Sequence, residues 1–333
     1  MVLKKLIVRF CMVLIFLTPS LVNAEEINQE KLNQERMALY KKGEALSFIP
    51  WYYFAAIDTY ERNVRSVRND IPKRENGVLS IYIKPEDWTG VVNPIKNDTY
   101  IPTIHLFSGI GMDGNNDGKA SLQDDEDLLF TFIHRLHFYG PSRQYIRMML
   151  WDYYQRAITV DIIDEYARMY QYFGKLSISG NAFPLPIRSE HSYQSTWGAP
   201  RSFGGRRVHE GTDIFANYGT PVRATCYGII ETKGWNRIGG WRIGIRDLSN
   251  SYHYYAHLGG FNKDIQKGQV VEPGTVIGYV GSSGYGPPGT SGKFPPHLHY
   301  GIYKDNGYSE WSYDPYPRLR LWERQDRISL RRK

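Results

Sequence analysis

The chain has 333 residues and carries 41 Lys and Arg against 34 Asp and Glu, a formal charge of +7. An excess this small makes no case for nucleic acid as a partner, while the length leaves room for two domains. Two cysteines, Cys11 and Cys226, exclude a disulfide-rich framework.

Residues 1–24 read as a secretory signal peptide. Lys4, Lys5 and Arg9 form its positive region, Phe10 to Leu17 an apolar core short for a bilayer span, and Val22-Asn23-Ala24 a small-residue cleavage site. An uncleaved anchor is the alternative reading. No later apolar run is long enough to span, so stable membrane insertion is not expected. Removal of the segment lowers the charge from +7 to +4, a mild excess that suits anionic surroundings without being specific for any. Cys226 is then alone, within the strand-like run Thr225 to Ile230, where a small buried role is expected.

Residues 25–180 hold few glycines and several helical patterns. Helices are expected over Ile27–Glu44, Trp51–Arg68 and Asp124–His137, the last with acids at its start where the macrodipole favours them. Ser142–Phe173 is expected to form more than one helix. Its Met148, Met149, Trp151, Tyr154, Ile158, Ile162, Tyr166 and Tyr170 follow the spacing of a core stripe. Between these, Asp113-Gly-Asn-Asn-Asp-Gly-Lys-Ala-Ser-Leu-Gln-Asp124 has the layout of a twelve-residue EF-hand-type calcium loop. Asp113, Asn115, Asp117, the Lys119 carbonyl and Asp124 would be the ligands, and Gly118 would make the sharp turn. An Asx-rich turn capping the next helix is the alternative.

From Ala182 onward glycine and proline rise. Short β-type runs at Val222–Thr225, Gly228–Thr232, Trp241–Arg246, Ser251–His257, Val276–Val280 and His297–Tyr303 alternate with turns. This predicts an antiparallel all-β domain over 181–317, with a boundary near Ser179-Gly180. The fold class expected is therefore α+β and multidomain. Residues 318–333 carry seven basic residues and two acids and read as a basic C-terminal tail, solvated or touching an anionic polymer.

The β segment carries the chemistry. His209 and Asp213 lie four apart, and His297-Leu298-His299 follows later. Imidazole and carboxylate are the donors of a catalytic zinc, and three protein ligands leave a fourth position for water. On a strand His297 and His299 point to one face, with Leu298 and Tyr300 on the other. The glycines around His209 place that pair in a loop entering a strand. His253, Tyr255 and His257 would share a face of their own strand. His257 is the candidate for the reacting centre, and His253 reads as a solvated strand histidine. Glu210 reads as a solvent-facing carboxylate, because no His-Glu-x-x-His helix is present to place it as a base.

These residues resemble the lysostaphin/LytM-type zinc metallo-endopeptidases of peptidoglycan. The similarity runs from about Asn181 to Pro317, through Arg207–Ala216, Gly219–Ala224, Tyr255–Leu258, Lys267–Gly278 and Pro296–Gly301. It implies a LytM-type peptidase fold with His209, Asp213 and His299 as zinc ligands and His257 and His297 as the catalytic pair. The whole-chain layout looks like the LytH-type endopeptidases of spore-forming bacteria. That implies an enzyme cutting the L-Ala–D-Glu bond of stem peptides during sporulation, with peptidoglycan peptide and glycan as its partners; a monomer is expected.

The helical region resembles lysozyme-like and lytic transglycosylase domains, in its calcium-type loop and in the segment Ile49–Glu61. That likeness implies Glu61 as a general acid for glycan cleavage, or a vestigial domain that only positions glycan. Two rival functions follow. One is a non-enzymatic wall-binding or amidase-activating protein, and the other is a bifunctional autolysin with a glycosidase in front.

Overall fold

The computed structural model describes residues 28–332 apart from 73, 75, 138, 203 and 204. The expected signal peptide lies outside the described residues. The chain divides into two compact units, one of residues up to 55 plus 74–137, the other of 56–73 plus 138 onward. The division therefore does not fall at Ser179-Gly180, because the helices between 138 and 173 cluster with the sheet.

The first unit is helical. It contains α1 (28–47), the first turn of α2 (Trp51–Val67), α3 (Pro85–Thr89), α4 (Ile101–Leu106) and α5 (Asp125–Arg135). Asp124 caps α5, accepting hydrogen bonds from the amides of Glu126 (2.8 Å) and Asp127 (3.1 Å). Acids fill its first turn and His134 and Arg135 its last, as the helix dipole favours. Asp125 fastens the neighbouring chain, accepting from Arg74 (2.7 Å) and from the amides of Val78 and Leu79. Trp88 is buried and donates its indole N–H to the Ala120 carbonyl at 3.1 Å. Both α3 and α4 were missed in the sequence, being too short to show a helical period.

The second unit joins the rest of α2, α6 (Arg143–Tyr154) and α7 (Ala157–Phe173) to an antiparallel sheet. The expected break between α6 and α7 comes at Gln155, which adopts a left-handed φ of 50°. The strands are β1 (His191–Tyr193), β2 (Pro200–Arg201), β3 (Arg207–Val208), β4 (Thr212–Ala216), β5 (Pro221–Arg223), β6 (Gly228–Asn236), β7 (Gly240–Asp247), β8 (Ser251–Phe261), β9 (Val270–Val271), β10 (Val276–Val280), β11 (His297–Asp305) and β12 (Glu310–Tyr313). The main sheet runs β1-β4-β11-β8-β7-β6-β9. Strand β12 extends β11, β10 bridges β5 and β8, and β2 and β3 form a separate hairpin.

One face of this sheet is the core. Ile214, Ile243, Ile245, Tyr255, Leu298, Tyr300 and Ile302 meet there and are fully buried. The alternation in β11 that buries Leu298 and Tyr300 presents His297 and His299 on the opposite face. Arg156 binds Asp305 at the end of β11 through two contacts of 3.1 and 2.5 Å.

The last seventeen described residues correct the expectation of a tail. Tyr316–Arg332 is a helix, α8, whose Leu319 and Trp322 are buried in the sheet core. Glu323 accepts from the Tyr193 hydroxyl at 2.6 Å, and Asp326 from Arg223 at 2.8 Å. Arginines crowd the exposed side and dilute the apolar signal, but Leu319, Trp322 and Asp326 recur at the spacing of one helical face.

Candidate metal centre

Strand register builds the centre. Asp213 on β4 lies directly opposite His299 on β11, so the two side chains share a face. His209 enters from the loop before β4, where its amide donates to the Ala199 carbonyl at 2.9 Å. A side chain at Gly211 would strike the His299 ring at 2.7 Å, which explains the glycine between His209 and Asp213.

His209 Nε2, His299 Nδ1 and Asp213 Oδ1 lie 3.0 Å from one another on all three sides. Ligands at about 2.0–2.1 Å from a tetrahedral ion stand about 3.3 Å apart, so the triangle has nearly the size of one face of a zinc site. The His209 Nδ1 lies 2.9 Å from the Thr196 carbonyl. The Arg201 guanidinium is also 3.1 Å from Nδ1, and Nε2 is the nitrogen that faces Asp213 and His299. Arg201 donates to the other oxygen of Asp213 at 2.6 Å, holding the carboxylate from behind. Burial alone would raise the Asp213 carboxyl, but His209 and His299 beside it hold it well below the usual carboxylate range. The donor set and its dimensions therefore fit a divalent ion.

His257 and His297 stand beside this triangle with ring centres 4.9 Å apart. Each has its Nδ1 2.8 Å from a backbone carbonyl, Ser283 for His257 and Pro295 for His297. Both rings are thus fixed as the Nδ1–H tautomer with Nε2 free. The His297 Nε2 is 3.7 Å from Asp213 Oδ1. Burial first, then the neighbouring His297 and His299, press the His257 pKa down to about 3. Burial likewise lowers that of His297. Both rings are therefore neutral bases.

His257 does not share a face with His253 and Tyr255, contrary to expectation. Pairing of β8 slips between Ile243 and Trp241 on one side and between Tyr279 and Val280 on the other. His257 sits in the resulting bulge with a left-handed φ of 63°. The bulge turns its side chain from the core face to the face of His299. His253 is not solvated either. It is fully buried, with Nε2 3.0 Å from Asp247 and Nδ1 2.7 Å from the Tyr300 hydroxyl. Cys226, buried as expected, joins Asp247 and His253 in the second cluster of metal-type donors among the described residues. Both nitrogens of its histidine are already partnered, which makes it a polar network of the core.

The groove around the centre also contains residues missed in the sequence. The hairpin β2/β3 contributes Arg201 and Arg207, and Tyr285 lies nearly parallel to His257 at 16° and 5.9 Å. Arginines on either side of Gly204 and Gly205 in the sequence were the available signal, but strands of two residues show no period. Glu210 is exposed, as expected, and accepts from the Tyr303 hydroxyl at 3.2 Å.

The calcium-type loop is arranged differently. Asp113 accepts from the amides of Asn116 and Gly118, Asn115 from that of Asp117, and Asp117 from that of Lys119. Asp124 is the cap of α5. Asp113, Asp117 and Asp124 do not form one of the metal-type donor clusters found among the described residues, and the arrangement lends no support to calcium. Glu61, the candidate glycan acid, is buried and accepts from the Tyr154 hydroxyl at 2.8 Å. Burial raises its pKa from 4.5 to about 7.

Residues 207–311 match the model of peptidase family M23. The L-Ala–D-Glu endopeptidase of Bacillus subtilis (strain 168) is 60% identical over 291 residues, which cover 87% of this chain and 89% of that protein. The chain belongs to peptidase family M23. Lysostaphin of Staphylococcus simulans is 34% identical over 115 residues, covering 34% of this M23 chain and 22% of lysostaphin. The solved catalytic domain of lysostaphin from S. simulans aligns at 31% identity and a TM-score of 0.31, covering 40% of this chain and 92% of that one. This M23 protein is a zinc-dependent metallo-endopeptidase of peptidoglycan. Among its described residues no helix is long and apolar enough to cross a membrane.

Proposed function

We propose that this M23 peptidase hydrolyses the L-Ala–D-Glu bond of peptidoglycan stem peptides, with zinc held by His209, Asp213 and His299. The observation that carries the bond assignment is the 60% identity to a protein of that activity along nearly the full length of both chains. Zinc in this site supplies Lewis-acid polarisation of the scissile carbonyl and acidifies water. His257 and His297 supply the proton traffic. Each is a neutral imidazole whose free Nε2 takes a proton and returns it to the departing amine. As imidazolium, either ring would stabilise a tetrahedral oxyanion. Arg201 orients the Asp213 carboxylate.

The same reading takes residues 1–24 as a signal peptide, so that the protein is secreted, and takes the enzyme as a monomer acting in the cell wall of a spore-forming organism. Mass spectrometry of purified wall after digestion tests the bond. Fragments with a new amino-terminal glutamate are expected, and release of any other amino-terminal residue refutes the assignment. New reducing or anhydro sugar ends would reveal a glycosidase, and an unchanged wall a binder.

A further inference from the structure

A glutamyl residue inside a peptide is extended through one carboxyl and keeps the other. When extension is through the side chain, the free group is the α-carboxylate. It is attached to the Cα that bears the scissile nitrogen, so its carbon lies only about 2.5 Å from that nitrogen. A cation that reads this carboxylate must stand at the catalytic centre itself, not further along the groove.

The β2/β3 hairpin puts two cations there. Arg201 and Arg207 are directly opposite in its register, and both line the groove with His209, His257 and His299. Arg201 is held by Asp213 at 2.6 Å, whereas the guanidinium of Arg207 reaches Tyr285. Arg207 donates to the Tyr285 hydroxyl and to the Gly205 carbonyl, and its guanidinium lies 5.4 Å from the Tyr285 ring centre. Tyr285 packs in turn on His257. One aromatic ring thus sets Arg207 beside a histidine that handles the proton of the leaving nitrogen. A guanidinium is planar and always charged, and its paired N–H groups match a carboxylate.

We propose that Arg207 binds the free carboxylate of the glutamyl residue on the leaving side of the scissile bond. It thereby selects glutamate over its amide. This rests on the L-Ala–D-Glu reading above.

The test uses the zinc-loaded protein and two synthetic stem peptides, one with D-glutamate and one with D-isoglutamine, whose free carboxyl is amidated. The expected wild-type preference for the carboxylate, as a ratio of kcat/KM, is roughly tenfold or more. In Arg207→Gln the ratio falls towards one, and in Arg207→Lys it is partly kept. Each ratio compares two substrates on one sample, so partial misfolding of a variant cancels. If the wild type does not discriminate, or if both variants keep its full preference while L-Ala–D-Glu cleavage continues, the role of Arg207 is overturned and the bond assignment stands. If the wild type cuts neither peptide at that bond while still digesting wall, the bond assignment falls and takes the inference with it.

Discussion

Arg156 and Asp305 meet in a two-point ion pair, and Asp305 ends the strand that carries His297 and His299. Asp305 is fully buried, and it also accepts from the Gly307 amide at 2.9 Å. Removing one partner of a buried pair leaves a charge without compensation, which costs about 3–5 kcal/mol. Arg156→Ala should therefore lower the unfolding free energy by about that amount. Urea denaturation measures it, and a loss below about 1 kcal/mol would show the pair to be unimportant.

The metal triangle predicts the effect of losing one ligand. His209→Ala, Asp213→Ala and His299→Ala should each drop zinc content from one ion per chain towards none, as read by elemental analysis. Each should abolish wall hydrolysis. A chelator should do the same to the wild type, with activity returning on addition of zinc. A variant that kept both zinc and activity would remove that residue from the ligand set.

His257 predicts a different outcome. His257→Ala should keep its zinc and lose about 10²–10⁴ in kcat. His257→Gly should be equally slow but more stable than the alanine variant by on the order of 1 kcal/mol, because glycine adopts the left-handed bulge without strain. Thermal unfolding of the two variants compares them, and equal stability would mean that the bulge relaxes.

Glu61 gives a pH dependence. Its folded pKa of about 7 lies above the ordinary 4.5, so the native state holds this proton more tightly than the unfolded chain. The stabilisation from the neutral form is complete below about 4.5 and is lost as pH rises through about 7. Glu61→Gln should remove that loss and stabilise the protein above neutrality by roughly 1–3 kcal/mol. A variant with the same stability profile as the wild type from pH 5 to 8 would contradict this. Glycan ends should be the same with either residue.

For α8, Trp322→Ala should cost about 3–5 kcal/mol, as expected of a buried aromatic. A chain ending before Tyr316 should be less stable still. If it unfolded at the wild-type temperature, the helix would be dispensable to the core.

Much of the centre was legible because strands alternate with a period of two. His297 and His299 could be assigned to one face, and Leu298 and Tyr300 to the other, from spacing alone. The same rule failed at His257, since a bulge adds a residue to one strand and leaves no mark in the local composition. It failed at His253 because burial depends on partners far along the chain, Asp247 and Tyr300. Strand β10 was found to the residue, whereas the hairpin of Arg201 and Arg207 was invisible, its strands being two residues each. The arginine-rich end read as solvated since charge outweighed Leu319 and Trp322 in any average taken along the chain.

His257 and His297, whose Nδ1 hydrogens rest on the carbonyls of Ser283 and Pro295, depend on no side chain for their tautomers. Substitution around the rim can reshape the groove without moving a single proton. Chain length is another matter. Deleting one residue between Ser283 and Pro295 would pull both of those oxygens out of register at once, so this loop should tolerate new letters far better than missing ones.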